Sequence, residues 1–245
     1  MKLVTSKHPE ELLTAYETGI TSVILPEFDL CMETEQHNPH HLYNVGMHTI
    51  HAMEVIPADK VLRLAMLFHD MGKPVCRETD ERGIDHFHGH PQVSEEITGK
   101  VLRRLKFDND TVYMVKKLVR CHDQYIPADE RGVRRAMWRV GEDAFPLLLQ
   151  VKKADMEAQS TFLIEEKEKN LQAVGRIYQE ILEKKQCVSL KTLAVNGKDL
   201  MDEAGYVPGK ELGTILQELL QLVIEEPELN DKGTLLKEAR QRRNR

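Results

Sequence analysis

Val61-Leu62-Arg63-Leu64-Ala65-Met66-Leu67-Phe68-His69-Asp70-Met71-Gly72-Lys73-Pro74 runs as a nearly continuous apolar stretch into an ionisable pair, then into a Gly-Lys-Pro break. Val61 to Phe68 reads as a short buried helix, and Gly72-Lys73-Pro74 as the signal that stops it. Imidazoles and carboxylates are rarely buried unless they are paired or bound to metal. His69-Asp70, at the end of such a helix, is therefore the first candidate for chemistry.

Helical periodicity continues on both sides. Apolar residues recur three to four apart from Leu42 to Val55. Arg77 to Pro91 is rich in charge, Gly and His, has no helical stripe, and predicts a long loop. Ser94–Leu105 is helical again, and the next helix is expected from about Asp110 as N-cap, with Val112, Val115, Leu118 and Val119 on one face. Further helices are expected near Glu130–Arg139, Glu142–Ala158 and Glu165–Lys184. A composition shift at Lys184–Ser189 precedes turn signals at Asn196-Gly197 and Pro208-Gly209, an apolar helix over Leu212–Ile224 and a last short helix over Lys232–Ala239. Strand signals are almost absent. The predicted class is all-α: a helical bundle with an N-terminal helical extension over residues 1–185, and a small C-terminal helical subdomain over 186–245.

Composition narrows the function classes. A net charge of −6 argues against an indiscriminate nucleic-acid coat, which needs Lys and Arg in excess. The basic end, Arg240 to Arg245, reads as a frayed, solvated terminus. Cys31, Cys76, Cys121 and Cys187 are scattered without a Cys-x-x-Cys pair, so neither a disulfide framework nor a cysteine zinc site is expected. Met1 to Glu11 lacks the apolar core of a secretory signal, and no apolar run approaches the ~20 residues of a membrane helix. The expectation is a cytoplasmic protein without membrane association.

Most of the histidines fall between His37 and His122. His122 continues the face of Val112, Val115, Leu118 and Val119. Asp155 follows Leu148 by seven residues and shares the buried side of its helix. Imidazoles and carboxylates converging from different helices suit a divalent metal.

Taken in order, His48-Thr49, His69-Asp70, Gly72-Lys73, His90, His122 and Asp155 resemble the HD superfamily of metal-dependent phosphohydrolases over roughly residues 40–160. A closer likeness lies in Leu25-Pro26-Glu27-Phe28, Gln36-His37-Asn38-Pro39-His40-His41, Phe87-His88-Gly89-His90 and Lys153-Ala154-Asp155. These segments are similar to the HD domain of bacterial CCA-adding tRNA nucleotidyltransferases. Val195-Asn196-Gly197-Lys198-Asp199-Leu200, Pro208-Gly209 and Leu212-Gly213 resemble the tRNA-binding C-terminal part of the same enzymes. Their nucleotidyltransferase head carries a Gly-Ser pair and an Asp-x-Asp metal site. This sequence has no Gly-Ser dipeptide, and Asp108-Asn109-Asp110 reads as a turn plus N-cap. The expectation is a headless relative that does not add nucleotides by itself.

The resemblance implies a first metal held by His48, His69, Asp70 and Asp155, and a second held by His90 and His122 with Asp70. Asp123 stands where some two-metal relatives carry a further His, so the expectation is one or two divalent ions (Mn, Ni, Co, Fe or Mg). It makes His86 and His88 alternative loop ligands or phosphate contacts. Lys73 either neutralises phosphate charge or merely solubilises a helix end. Asp70 and Lys73 are the expected catalytic residues. The implied reaction is hydrolysis of nucleotide phosphomonoesters, 2′,3′-cyclic phosphates or RNA 3′ ends. The alternatives are a tRNA-binding module and an accessory subunit of a separate nucleotidyltransferase head. Partners implied are a small-molecule or nucleotide phosphate substrate and weak, salt-sensitive tRNA binding.

Overall fold

The computed structural model describes residues 2–40 and 42–243. The chain is helical almost throughout, as its periodicity predicts. In order come α1 (Glu11–Glu17), α2 (Ile20–Ile24), α3 (Pro26–Met32), α4 (Val45–Val55), α5 (Lys60–Phe68), α6 (Lys73–Cys76), β1 (Glu78–Thr79), β2 (Asp85–His86), α7 (His90–Arg104) and α8 (Asn109–Cys121). Then follow α9 (Glu130–Val140), α10 (Phe145–Glu157), α11 (Ile164–Glu183), α12 (Gly197–Ala204), α13 (Lys210–Glu225), a 3-10 turn at Pro227–Leu229 and α14 (Lys232–Arg243). Among the described residues no helix is long and apolar enough to cross a membrane.

The chain groups into two compact units, each drawing on separate stretches of sequence. The first comprises residues 1–125 and 146–171. Its central element is α5, whose residues Leu62 to Phe68 are all buried. Asp59 caps α5 by accepting from the amides of Val61 and Leu62, which fixes where the buried helix begins. Helices α4, α7 and α8 pack against it. Burying Leu62, Leu64, Leu67 and Phe68 stabilises this unit by roughly 1.5–3 kcal/mol each.

Three expectations for this unit need correction. Gly72-Lys73-Pro74 ends α5 but also begins α6, because a proline costs nothing in a first turn whose N–H has no partner. The expected loop Arg77–Pro91 contains an antiparallel pair, with Glu78 opposite His86 and Thr79 opposite Asp85. Its end is already helical: Gly89 adopts φ +78, and α7 starts at His90 with Pro91 in the first turn. The cap of α8 is Asp108, not Asp110, since the Asp108 carboxylate accepts from the Thr111 amide at 2.8 Å.

The second unit comprises residues 126–145 and 172–245. Leu200, Leu219, Val223, Ile224 and Leu235 form its core. Asn196 and Asp199 make a reciprocal capping box that starts α12. Buried Arg134 donates Nε–H to the Ile224 carbonyl at 2.8 Å, satisfying one of the last carbonyls of α13 and tying α9 into this unit. The basic terminus is not frayed over residues 240–243. Arg240 donates to the Glu203 carbonyl at 2.8 Å and Arg243 to that of Ala204 at 3.2 Å, so α14 docks on the end of α12. The remainder of that tail, Asn244 and Arg245, lies outside the described residues, as does His41.

Candidate metal centre

The first unit brings four histidines and two aspartates together from different helices. His48 comes from α4, His69 and Asp70 from the end of α5, His90 from the first turn of α7, His122 from the end of α8 and Asp155 from α10. Possible ligand atoms of His48, His69 and Asp155 lie within 4.8 Å of one another, and so do those of Asp70, His90 and His122.

Asp70 joins the two groups. Its Oδ2 lies 3.2 Å from His69 Nε2 and 3.7 Å from His48 Nε2, while its Oδ1 lies 3.3 Å from His90 Nε2 and 3.6 Å from His122 Nε2. Asp155 closes the first group with Oδ1 2.9 Å from His48 Nε2. One glycine makes this approach possible. A Cβ on Gly72 would stand 2.5 Å from the His90 carbonyl oxygen and 2.7 Å from the Ser94 amide, so any side chain there would push α7 away. The Gly72 amide donates to Ser94 Oγ at 2.8 Å, locking the contact.

The orientation of the rings decides what the cluster suits. Nδ1 of His69 faces the Met66 carbonyl at 2.6 Å, that of His90 the Phe87 carbonyl at 2.9 Å, that of His122 the Val119 carbonyl at 2.7 Å and that of His48 the Ala158 carbonyl at 3.3 Å. A carbonyl only accepts, so Nδ1 carries the proton in every ring, and in a neutral ring the Nε2 lone pair points into the cluster. Nε2 of His48 and of His69 stand 3.3 Å apart, as do those of His90 and of His122. Two lone pairs at that distance repel unless a cation or a proton lies between them. Asp70 Oδ2, fully buried, meets no donor in hydrogen-bond geometry although Lys73 Nζ is 2.7 Å away. The donor set therefore fits a divalent ion in each group: borderline nitrogen ligands with anionic oxygen.

Charge follows the same logic. Burial opposes ionisation of Asp70, but the His69 and Lys73 charges outweigh it and hold the carboxyl well below the usual range. Burial likewise opposes ionisation of Asp155, and hydrogen bonds to His48 and His69 hold it low. Burial disfavours a charged His69, yet Asp70 and Asp155 push it up to about 10. Burial lowers His122 and keeps it neutral.

Lys73 is buried beside Asp70, donates to Gln36 Oε1 at 2.8 Å and stands 5.3 Å from the Phe87 ring centre. Its burial against Asp70 sets it apart from a solvated helix end. His86 and His88 join neither group. His86 Nε2 contacts Asp80 Oδ2 at 3.1 Å, and the two rings stack on the hairpin, 5.6 Å apart. Asp123 is exposed. Several residues escaped the sequence reading. Gln36 holds Lys73, Gln159 donates to Asp155 Oδ1 at 3.2 Å, and Lys167 Nζ donates to Gln159 Oε1 at 2.6 Å. Gln36 lies in a segment that had carried the family resemblance; Gln159 and Lys167 carry no signal of their own.

Comparison with known proteins gives the chain's family. The family described as tRNA nucleotidyltransferase domain 2 matches residues 78–239, which include His90, His122 and Asp155 and begin after His48, His69, Asp70 and Lys73. The A-adding tRNA nucleotidyltransferase of Deinococcus radiodurans is 30% identical over 222 residues, covering 86% of this chain and 49% of that protein. The CC-adding tRNA nucleotidyltransferase of Thermus thermophilus is 34% identical over 209 residues, covering 83% of this chain and 46% of that protein. The chain thus spans about half the length of the curated relatives it matches.

Proposed function

The chain belongs to the tRNA nucleotidyltransferase domain 2 family, and from that premise we propose that it is an HD-type, divalent-metal-dependent phosphohydrolase of the cytoplasm, acting on nucleotides, 2′,3′-cyclic phosphates or RNA 3′ ends. One observation carries this reading: imidazoles anchored through Nδ1 to backbone carbonyls aim Nε2 at the carboxylates of Asp70 and Asp155. A module that only binds RNA has no need of such buried ionisable groups.

In this reading His48, His69 and Asp155 would hold one ion and His90 and His122 a second, with Asp70 a ligand available to either. A bound divalent ion supplies Lewis acidity and lowers the pKa of water toward about 7. The chain's own groups do the rest. Asp70, with Asp155, which is only 17% exposed, would orient the attacking water through its carboxylate. Lys73, steadied by Gln36, offsets charge on a phosphoryl oxygen as the leaving group departs. His86, in β2, and His88, just after it, would serve as contacts for a substrate phosphate. Residues 1–185 carry this chemistry, and residues 186–245 carry weak contact with tRNA. A second reading, a tRNA-binding or accessory module without hydrolysis, rests on the family membership and on the names of the relatives.

The deciding experiment measures metal content and turnover on a panel of phosphate esters, with Asp70→Ala beside His88→Ala. Metal uptake with turnover that Asp70→Ala abolishes and His88→Ala only reduces supports hydrolysis. Metal below about a tenth of an equivalent after incubation with Mn²⁺, Ni²⁺ or Co²⁺ overturns the metal site. Metal without turnover on any ester favours the second reading.

A further inference from the structure

Beyond the cluster, on the Asp155 side, a second lysine is held much as Lys73 is. Gln159, one helical turn after Asp155, donates Nε2–H to Asp155 Oδ1 at 3.2 Å and accepts from Lys167 Nζ at 2.6 Å through Oε1. The same ammonium lies 3.3 Å from His40 Nδ1. His40 is fixed in turn, with its amide on Asn38 Oδ1 at 3.0 Å and its ring edge-on to Phe162 at 4.9 Å. Lys167 and His40 are both half-buried.

A lysine ammonium has three donors, and these neighbours, an amide oxygen and an imidazole, carry no negative charge. Asp155 acts on this ammonium only from beyond Gln159, so a half-buried cation whose direct partners are all neutral favours an added anion over water. On the opposite side, Lys73 contacts Asp70 directly at 2.7 Å and is likewise held by a glutamine. The cluster is therefore flanked by two glutamine-held ammonium groups. One is set against the bridging carboxylate. The other is one glutamine removed from Asp155.

We propose that Lys167, with His40, is a second anion-holding point of this site, and that the substrate class is a phosphate ester carrying a second phosphate group. The proposal rests on the phosphohydrolase reading for the fate of the first phosphate, but the Lys167 contact itself requires no metal.

The test is calorimetric titration of the full chain in EDTA with adenosine 3′,5′-bisphosphate and with 5′-AMP, using wild type, Lys167→Met, Lys167→Arg and Lys169→Met. Lys169 is exposed on the same helix and serves as the control. Loss of one charge-assisted contact at a half-exposed group is expected to weaken bisphosphate binding about tenfold in Lys167→Met. Lys167→Arg should restore most of it, Lys169→Met should not change it, and 5′-AMP should move less than about twofold. No bisphosphate binding by wild type, equal losses for both ligands, or a loss shared by Lys169→Met overturns the proposal. Metal analysis on the same proteins, incubated with Mn²⁺ in the absence of EDTA, tests the phosphohydrolase reading separately.

Discussion

Lys73 Nζ lies 2.7 Å from Asp70 Oδ2, three residues further along the chain and buried with it. The ammonium occupies the side of the carboxylate that also faces His48 and His69. A divalent ion in that group and the ammonium are thus rivals for one oxygen, whereas an incoming phosphate would draw on both. Lys73→Met should therefore leave metal uptake at least as strong as in wild type while lowering kcat/KM for phosphate esters about 100-fold. Metal analysis and kinetics on the same preparation check this, and a parallel loss of both would make Lys73 a structural residue only.

Metal binding should release protons. Asp70 and Asp155 hold His69 protonated up to about pH 10, and its Nε2 must lose that proton to become a ligand. Affinity should accordingly rise with pH across the neutral range. Calorimetry of Mn²⁺ binding in buffers of different ionisation enthalpy is expected to report about one proton released at pH 7.5, and none from a His69→Gln variant. In the metal-free protein the same shift has the opposite sense for stability. The contribution of His69 is complete below its unfolded value of about 6.5 and is lost as pH rises toward 10.

Gly72 sets the spacing between the two ligand groups. Gly72→Ala places a methyl group against the His90 carbonyl and the Ser94 amide, atoms that belong to backbone and cannot turn aside. Helix α7 must then shift, carrying His90 away from Asp70 and His122. The expected outcome is a loss of about 1–3 kcal/mol in stability, as for other overpacked cores, and a drop in stoichiometry to the ion held by His48, His69 and Asp155. Urea melts and elemental analysis together decide it, and unchanged stoichiometry would separate the glycine from the second group.

Much of this arrangement was legible beforehand. The apolar run before His69-Asp70 announced a buried element, and the helical periodicity on both sides of it favoured a helix over a buried strand. His122 and Asp155 were readable because each continued a buried stripe. What escaped the sequence depended on contacts distant along the chain. Gln36 meets Lys73 across 37 positions, and no local pattern marks a glutamine as an ammonium's partner. Segment 126–145 groups with residues 172–245 through Arg134 and the end of α13, a pairing that hydrophobic periodicity does not encode. The β1–β2 pair was hidden because two-residue strands leave no alternation to read.

Asp85 ties the hairpin to the rest of its unit. Its buried carboxylate accepts from the His37 amide at 2.8 Å, from Arg77 at 3.0 Å and from Thr79 Oγ1 at 2.6 Å. Burial opposes its ionisation, but these donors prevail and hold its pKa well below the usual range. A depressed carboxyl stabilises above its unfolded value, about 3.9, and that contribution is lost as pH falls toward the folded value. Asp85→Ala should cost about 1–3 kcal/mol at pH 7 by stranding the donors, with a smaller difference from wild type near pH 2. Denaturant melts at both pH values test this, and a difference independent of pH would remove the charge from the explanation.

Lys198 and Lys210 are exposed at the starts of α12 and α13; Asn196 Oδ1 takes the Lys198 and Asp199 amides, whereas α13 has no side-chain cap and its first amides favour phosphate oxygens. The overall charge of −6 opposes tight electrostatic binding, so tRNA should bind weakly and release readily as salt rises. Truncation before Cys187 would be a poor test, because it removes Ile224 and leaves buried Arg134 without its carbonyl partner. Charge reversal avoids that damage. The double variant Lys198→Glu, Lys210→Glu should lower tRNA affinity about tenfold at low salt and reduce the slope of log affinity against log salt by about 2. Filter binding at several salt concentrations measures both quantities. Unaltered affinity and slope in the variant would take these helix starts out of any tRNA contact, and leave the phosphohydrolase reading of the first unit untouched.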